Sequence, residues 1–247
     1  YSNIPQSRQA ARLWSALLLS TLIVFFVESF AFADQAWENG SVMTMKYNGR
    51  PVAGVPIAID SSEVKLLRSD GRLLPLDGSK LTDIEATNRR FRPASVSAIR
   101  AMLLRELGTG YEVVGTSHYV VAQPVGTKQD WPNLFEGLYR DLVRYFQIRK
   151  FQASQPFFPL IAIVCKDQAE FLKYSKGIKV AAMPGVMGYY DPESNRIVLY
   201  DHSMGDASDA AAVQMSIDTV THEATHQVLY NIGGLDRFVV NPLWILE

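Results

Sequence analysis

Residues 221–231 read "THEATHQVLYN". Two histidines, His222 and His226, stand four positions apart, and Glu223 directly follows the first. Positions i and i+4 share one face of an α-helix, one turn apart. The pair can therefore aim two ring nitrogens at a single point, as a zinc ion bound at about 2.0–2.1 Å requires. Glu223 is rotated about 100° around the helix axis from His222, off that point but within reach of a water held there. A carboxylate so placed takes a proton from the water and returns it to a leaving amine. Half of the four histidines in the chain fall in this motif. The plainer alternative is a helix that carries two surface histidines.

A catalytic zinc normally takes three protein ligands and a water. The metzincin extension would place glycine and histidine three and six residues beyond His226; Leu229 and Ile232 stand there instead, which excludes that class. Two downstream carboxylates remain. Asp236 lies in "GGLDRF" and Glu247 in "PLWILE". A turn at Gly233-Gly234 and a second helix from about Pro242 would bring Glu247 back to the first helix, giving a two-His-plus-Glu set. Glu247 is favoured and Asp236 is kept as the alternative. His118 in "TSHYVV" reads as a structural histidine within a strand, and His202 follows a strand end that could lie near the cleft; neither is assigned to the site.

Working outward, "MGDASDAAAVQMSIDTVTHEATHQVLYNIGG" predicts one long helix with an Asp-rich start and a Gly-Gly stop. Val213, Ile217, Val220, Ala224 and Val228 form its apolar stripe. "GVMGYYDPESNRIVLYD" before it predicts a hairpin. "NRIVLYD" is the expected sheet edge on which a peptide could lie as an added strand. Further upstream, "SVSAIRAMLLREL" predicts a helix capped by Ser95 and stopped by Gly108. "YEVVGTSHYVVAQPV" predicts strand structure, and "WPNLFEGLYRDLVRYFQIR" a helix with Leu134, Leu138, Leu142 and Phe146 on its stripe. "PLIAIVCKD" predicts a buried strand, followed by a short helix at "QAEFLKYSK". The fold class is therefore α+β, with helices laid on a mixed sheet.

Residues 41–85 carry Asn48-Gly49, Asp70-Gly71 and Asp77-Gly78 between apolar runs, each a hairpin signal, and predict a small antiparallel β unit. "ATNRRFRPA" (86–94) is polar and basic and suits a linker. The unit resembles the small SH3-like barrels of bacterial envelope proteins that carry "V.L.RSDGR…PL..L".

The N-terminal segment has Arg8 and Arg12, then fifteen residues from Leu13 to Val27 rich in apolar side chains, then Ala31-Phe32-Ala33. That is the pattern of a secretory signal peptide over 1–33. It implies a secreted or cell-envelope (periplasmic) protein, touching a membrane only through this segment if it stays uncleaved. The first residue is Tyr1 and the last, Glu247, sits in an apolar run, so both ends read as cuts through a longer protein. The domains expected are a small β unit with its linker over 34–90 and a zincin-like domain over 95–247, truncated at its C-terminus. A net charge of −1 gives no basic excess, so no nucleic-acid partner is expected. The single cysteine, Cys165, excludes an internal disulfide and a cysteine-based zinc site, and reads as a small apolar core residue.

"THEATHQVLYNIGG", preceded by "GYYDPESNRIVLYD" and followed by "PLWILE", resembles the peptidase-MA-like, gluzincin-type domains of bacterial envelope proteins, over roughly residues 100–247. "YEVVGTSHYVVAQP" and "FEGLYRDLVRYF" fit the same group. The resemblance implies a zincin-like metallopeptidase domain. It implies zinc on His222, His226 and Glu247, with Glu223 as general base and a peptide or protein as substrate. The competing expectation is a non-catalytic envelope binding or scaffold module whose zinc site is structural, with the β unit as its working part.

Overall fold

The computed structural model describes residues 40–59, 62–177, 186–203 and 209–238; residues 1–33, expected to be a signal peptide, and Glu247 fall outside these. In the first sheet, Asn48 and Gly49 both have positive φ (50° and 75°), the geometry of a tight hairpin turn. They join β1 (Ser41–Tyr47) to β2 (Arg50–Ile59), with Tyr47 opposite Arg50. β3 (Glu63–Leu67) and β4 (Leu73–Asp77) flank the Asp70-Gly71 turn, where Gly71 has φ 84°. β5 (Leu81–Arg90) then pairs with β1 and not with β4, so the antiparallel order is β4-β3-β2-β1-β5.

Two sequence expectations are corrected here. Asp77-Gly78 makes no hairpin: the Asp77 carboxylate accepts from Ser79 N at 3.0 Å and caps a 3-10 turn, Gly78–Lys80, which carries the chain across to β1. Nor is 86–94 all linker. Residues 86–90 finish β5, pairing Met43 with Ala86 and Ser41 with Arg90, and Phe91 is buried. β5 exposes nearly every side chain, so its composition looks like a solvated loop while its backbone is held by the ladder.

Ser95 accepts from Ala98 N (3.2 Å) and opens α1 (Val96–Leu107), which stops at Gly108, φ 85°. β6 (Tyr111–Gly115) and β7 (Tyr119–Pro124) form a hairpin; α2 (Trp131–Ile148), β8 (Leu160–Cys165) and α3 (Gln168–Gly177) follow. β9 (Gly188–Asp191), β10 (Arg196–Tyr200) and α4 (Ala210–Asn231) complete the described elements. The second sheet has the order β6-β7-β8-β10-β9. β7, β8 and β10 run parallel, while β6 and β9 are antiparallel edges. Every residue of β7 and β8 is buried, as central parallel strands covered on both faces must be.

Alternation along those strands splits the core. Val113, Val120, Ile163 and Val198 meet Ile99 and Leu103 of α1 and Phe171 of α3 on one face. Tyr119, Val121, Leu160, Val164 and Leu199 meet Phe135 of α2 and Val220, Ala224 and Val228 of α4 on the other. The molecule is thus a mixed α+β protein, with two sheets and four α-helices among the described residues. One helix stripe and the sheet edge differ from expectation. On α2 the deepest residues are Trp131, Phe135 and Tyr139, while Leu134, Leu138, Leu142 and Phe146 pack only partly buried. "NRIVLYD" is not the edge: β10 lies between β8 and β9, and β9 is the outer strand.

The small sheet docks against the β9–β10 turn. Leu73 N donates to Glu193 O at 2.7 Å, and Ala94 N to Ser69 O at 2.7 Å. Phe158 joins Val55, Leu67, Leu73 and Phe91 in one apolar cluster. On the α1 side, Arg196, 1% exposed, donates to Glu106 (2.7 and 3.2 Å) and to Tyr174 Oη (2.7 Å).

Candidate metal centre on helix α4

Asp209 opens α4 by accepting from Ala211 N and Ala212 N. The helix is unusually rich in hydroxyl groups, and Ser216, Thr219, Thr221 and Thr225 satisfy theirs on the carbonyls four residues back. Val220, Ala224 and Val228 are wholly buried and seat it on the sheet. Gln227, also wholly buried, donates from one amide nitrogen to Ile161 O (3.1 Å) and Asn195 O (2.8 Å). It therefore pins the helix across the starts of β8 and β10.

This seating turns His222 outward and leaves His226 half-buried. Their Nε2 atoms lie 3.1 Å apart, with the rings at 77° to one another. Two ligands at about 2.05 Å from a tetrahedral zinc are separated by roughly 3.3 Å, so the pair fits a shared metal with little adjustment. The His226 ring is also held below the ordinary imidazole range, by burial and then by the neighbouring His222. A neutral imidazole is the form that ligates.

Glu223 faces the edge strand. Its Oε2 accepts from Tyr190 N at 2.7 Å. Tyr190 sits opposite Ile197 in the β9–β10 ladder, and its amide points away from β10 toward the helix. Burial lifts the Glu223 carboxyl above the ordinary carboxylate range, against the opposing pulls of His222 and the Tyr190 amide. The sequence contains no side-chain sign of this contact, because the partner is a peptide N–H.

Glu247, the favoured third ligand, lies outside the described residues. Among the described residues no group of three or more His, Cys, Asp or Glu is placed to hold a metal ion. Asp236, the alternative, does not join the pair; its Oδ1 accepts from Phe238 N at 2.8 Å. Neither His118 nor His202 joins the pair in a metal-holding group among the described residues, and the place of His118 is corrected. His118 occupies a bend before β7, not the strand itself. Its Nδ1 lies 2.8 Å from the buried Glu136, and its ring stacks on Tyr139 at 4.0 Å. His202 rests against Tyr200 at 4.3 Å.

A search of the curated proteins and a search of the solved structures each return no match. One family model, described as "Protein of unknown function (DUF1570)", matches residues 216–247, the segment that carries His222, Glu223, His226 and Glu247.

Proposed function

We propose that the protein is a zinc-dependent peptidase of the gluzincin type, built on a zincin-like domain and acting in the cell envelope or outside the cell. The observation that carries this reading is the approach of His222 Nε2 to His226 Nε2 at 3.1 Å, with Glu223 fixed beside them by the edge strand. His222 and His226 would hold the zinc with Glu247 as third ligand. The arrangement of α4 along a mixed sheet with an antiparallel outer strand agrees with such a domain. When bound, zinc supplies Lewis acidity, making water a stronger acid with a pKa toward about 7 and polarising a carbonyl.

The chain's own groups supply the proton handling. Glu223 Oε2 is engaged by Tyr190 N, which leaves Oε1 to take the proton of the attacking water and deliver it to the departing amine. The raised affinity of this carboxyl for a proton suits a group that must both accept and release one. β9 is the outer strand, and its outward main-chain groups other than the Tyr190 amide, which Glu223 already holds, would pair with an extended peptide.

The test is metal content and hydrolysis of a fluorogenic peptide library, measured on the full-length protein. One zinc per chain is expected, with turnover that disappears in Glu223→Gln while the zinc remains. Unchanged cleavage by Glu223→Gln would remove Glu223 from the mechanism. One zinc per chain with no cleavage of any peptide would favour the scaffold module with a structural zinc.

A further inference from the structure

Arg237 follows α4 and crosses to two turns that are remote in sequence. Its Nε and Nη2 donate to Pro192 O in the β9–β10 turn at 2.9 and 2.6 Å. Nη2 also donates to Gly71 O in the β3–β4 turn at 2.8 Å. All three bonds end on peptide carbonyls. Burial holds this guanidinium below its ordinary pKa, so its placement carries a desolvation cost. The same two turns are joined by Leu73 N to Glu193 O at 2.7 Å. At Gly71 a Cβ would lie 3.2 Å from the Phe158 ring, so the turn sits close against the second sheet.

From the β9–β10 turn the contacts lead to the metal helix. Asn195, held at φ 57°, exchanges side-chain amide bonds with Asn231 at 2.9 and 2.8 Å. Its Oδ1 also accepts from Tyr190 Oη at 2.9 Å, and its backbone O from Gln227. Tyr190 N in turn holds Glu223.

We propose that Arg237 is a positioning residue for Glu223. By tying the β3–β4 turn of the small sheet to the β9–β10 turn, it sets where the outer strand, and with it the Tyr190 amide, meets the carboxylate. The small sheet is then a built-in part of the candidate centre and not a separate binding module. The functional consequence rests on the peptidase reading; the geometric one does not.

The experiment compares Arg237→Met with the wild-type chain by amide hydrogen exchange, zinc content and hydrolysis of dye-labelled casein. Arg237→Met keeps most of the side-chain length and removes all three bonds. The Tyr190 amide is expected to exchange at least about tenfold faster, while amides of β8 and the α4 core keep their protection. Zinc binding stays at the wild-type level. For a centre displaced by a fraction of an ångström, kcat falls by about tenfold or more with KM little changed. Arg237→Lys, which keeps the charge and part of the reach, restores some of the Tyr190 protection and of kcat. Tyr190 exchange equal to wild type, or rising only in step with β8 and α4, overturns the proposal and leaves Arg237 as a general stabiliser. Should Arg237→Met not fold, Arg237→Lys is judged on the same criteria with an intermediate effect. If the wild-type protein cleaves nothing, the peptidase reading fails, and the exchange measurement still decides the positioning role.

Discussion

The backbone amide of Tyr190 donates to a carboxylate oxygen of Glu223 at 2.7 Å, which couples the outer strand of the sheet to the helix that bears both histidines. This bond does not fully offset burial, because the Glu223 carboxyl remains shifted upward. A raised carboxyl disfavours the ionised folded state at neutral pH, where the unfolded chain would carry the charge freely. In metal-free protein at pH 7, Glu223→Gln is therefore expected to melt at a temperature equal to or above that of wild type. A clear drop in Tm would mean that the ionised carboxylate stabilises this helix.

The histidine pair should behave as one unit toward metal. His222→Ala or His226→Ala is expected to weaken zinc binding by more than the about 10- to 100-fold typical of losing a supporting group. Titration against a competing chelator reads this directly. Two variants that bind as tightly as wild type would show that zinc, if present, sits elsewhere.

Glu106 gives the fold an acid-sensitive joint. Burial alone would raise its carboxyl, but the bonds from Arg196 and Tyr174, with Arg72 nearby, bring it below the ordinary value. A carboxyl depressed in the folded state stabilises that state above its unfolded pKa of roughly 4.3 and loses the contribution as pH falls through the folded value. Removing its charge leaves the buried Arg196 guanidinium with the Tyr174 hydroxyl but no counter-ion, so Glu106→Gln should cost on the order of 3 kcal/mol at pH 7. The difference between variant and wild type should shrink below about pH 4, as chemical denaturation at several pH values would reveal. A difference independent of pH would count against this assignment.

Gly188 lies where β9 passes α4. A Cβ there would stand 2.8 Å from Thr219 Cγ2 and 2.9 Å from Leu199 Cβ. Gly188→Ala is expected to destabilise by about 1–3 kcal/mol and to push the outer strand away from the helix. Urea unfolding gives the first quantity. Loss of Tyr190 amide protection beyond that of neighbouring strands gives the second, and its absence would show that the strand absorbs the methyl group without moving.

Much of the second sheet was legible because its elements have strong local signatures. Ser95 and Gly108 bracket α1, and "LIAIVC" could only be a covered strand. The misreadings arose where pairing partners decide the outcome. β5 is polar throughout, so only its ladder with β1 distinguishes it from a linker. "RIVLY" is the more apolar of the two hairpin strands, as an inner strand must be, but which of them is the edge is set by the parallel crossover from β8 to β10. The spacing of His222, Glu223 and His226 was fully readable, since helix geometry alone brings i and i+4 together. The grip of Tyr190 on Glu223 and of Arg237 on two distant turns was not readable, because peptide groups carry no residue identity.

Cys165 closes β8 wholly beneath α1 and α3, and burial drives its thiol up to about 12. It is also the sole cysteine of the chain. A maleimide dye therefore has one place to attach, and reaches it only when the central strand comes undone. The rate of labelling in native buffer would serve as a clock for rare openings of the sheet, with no engineered probe.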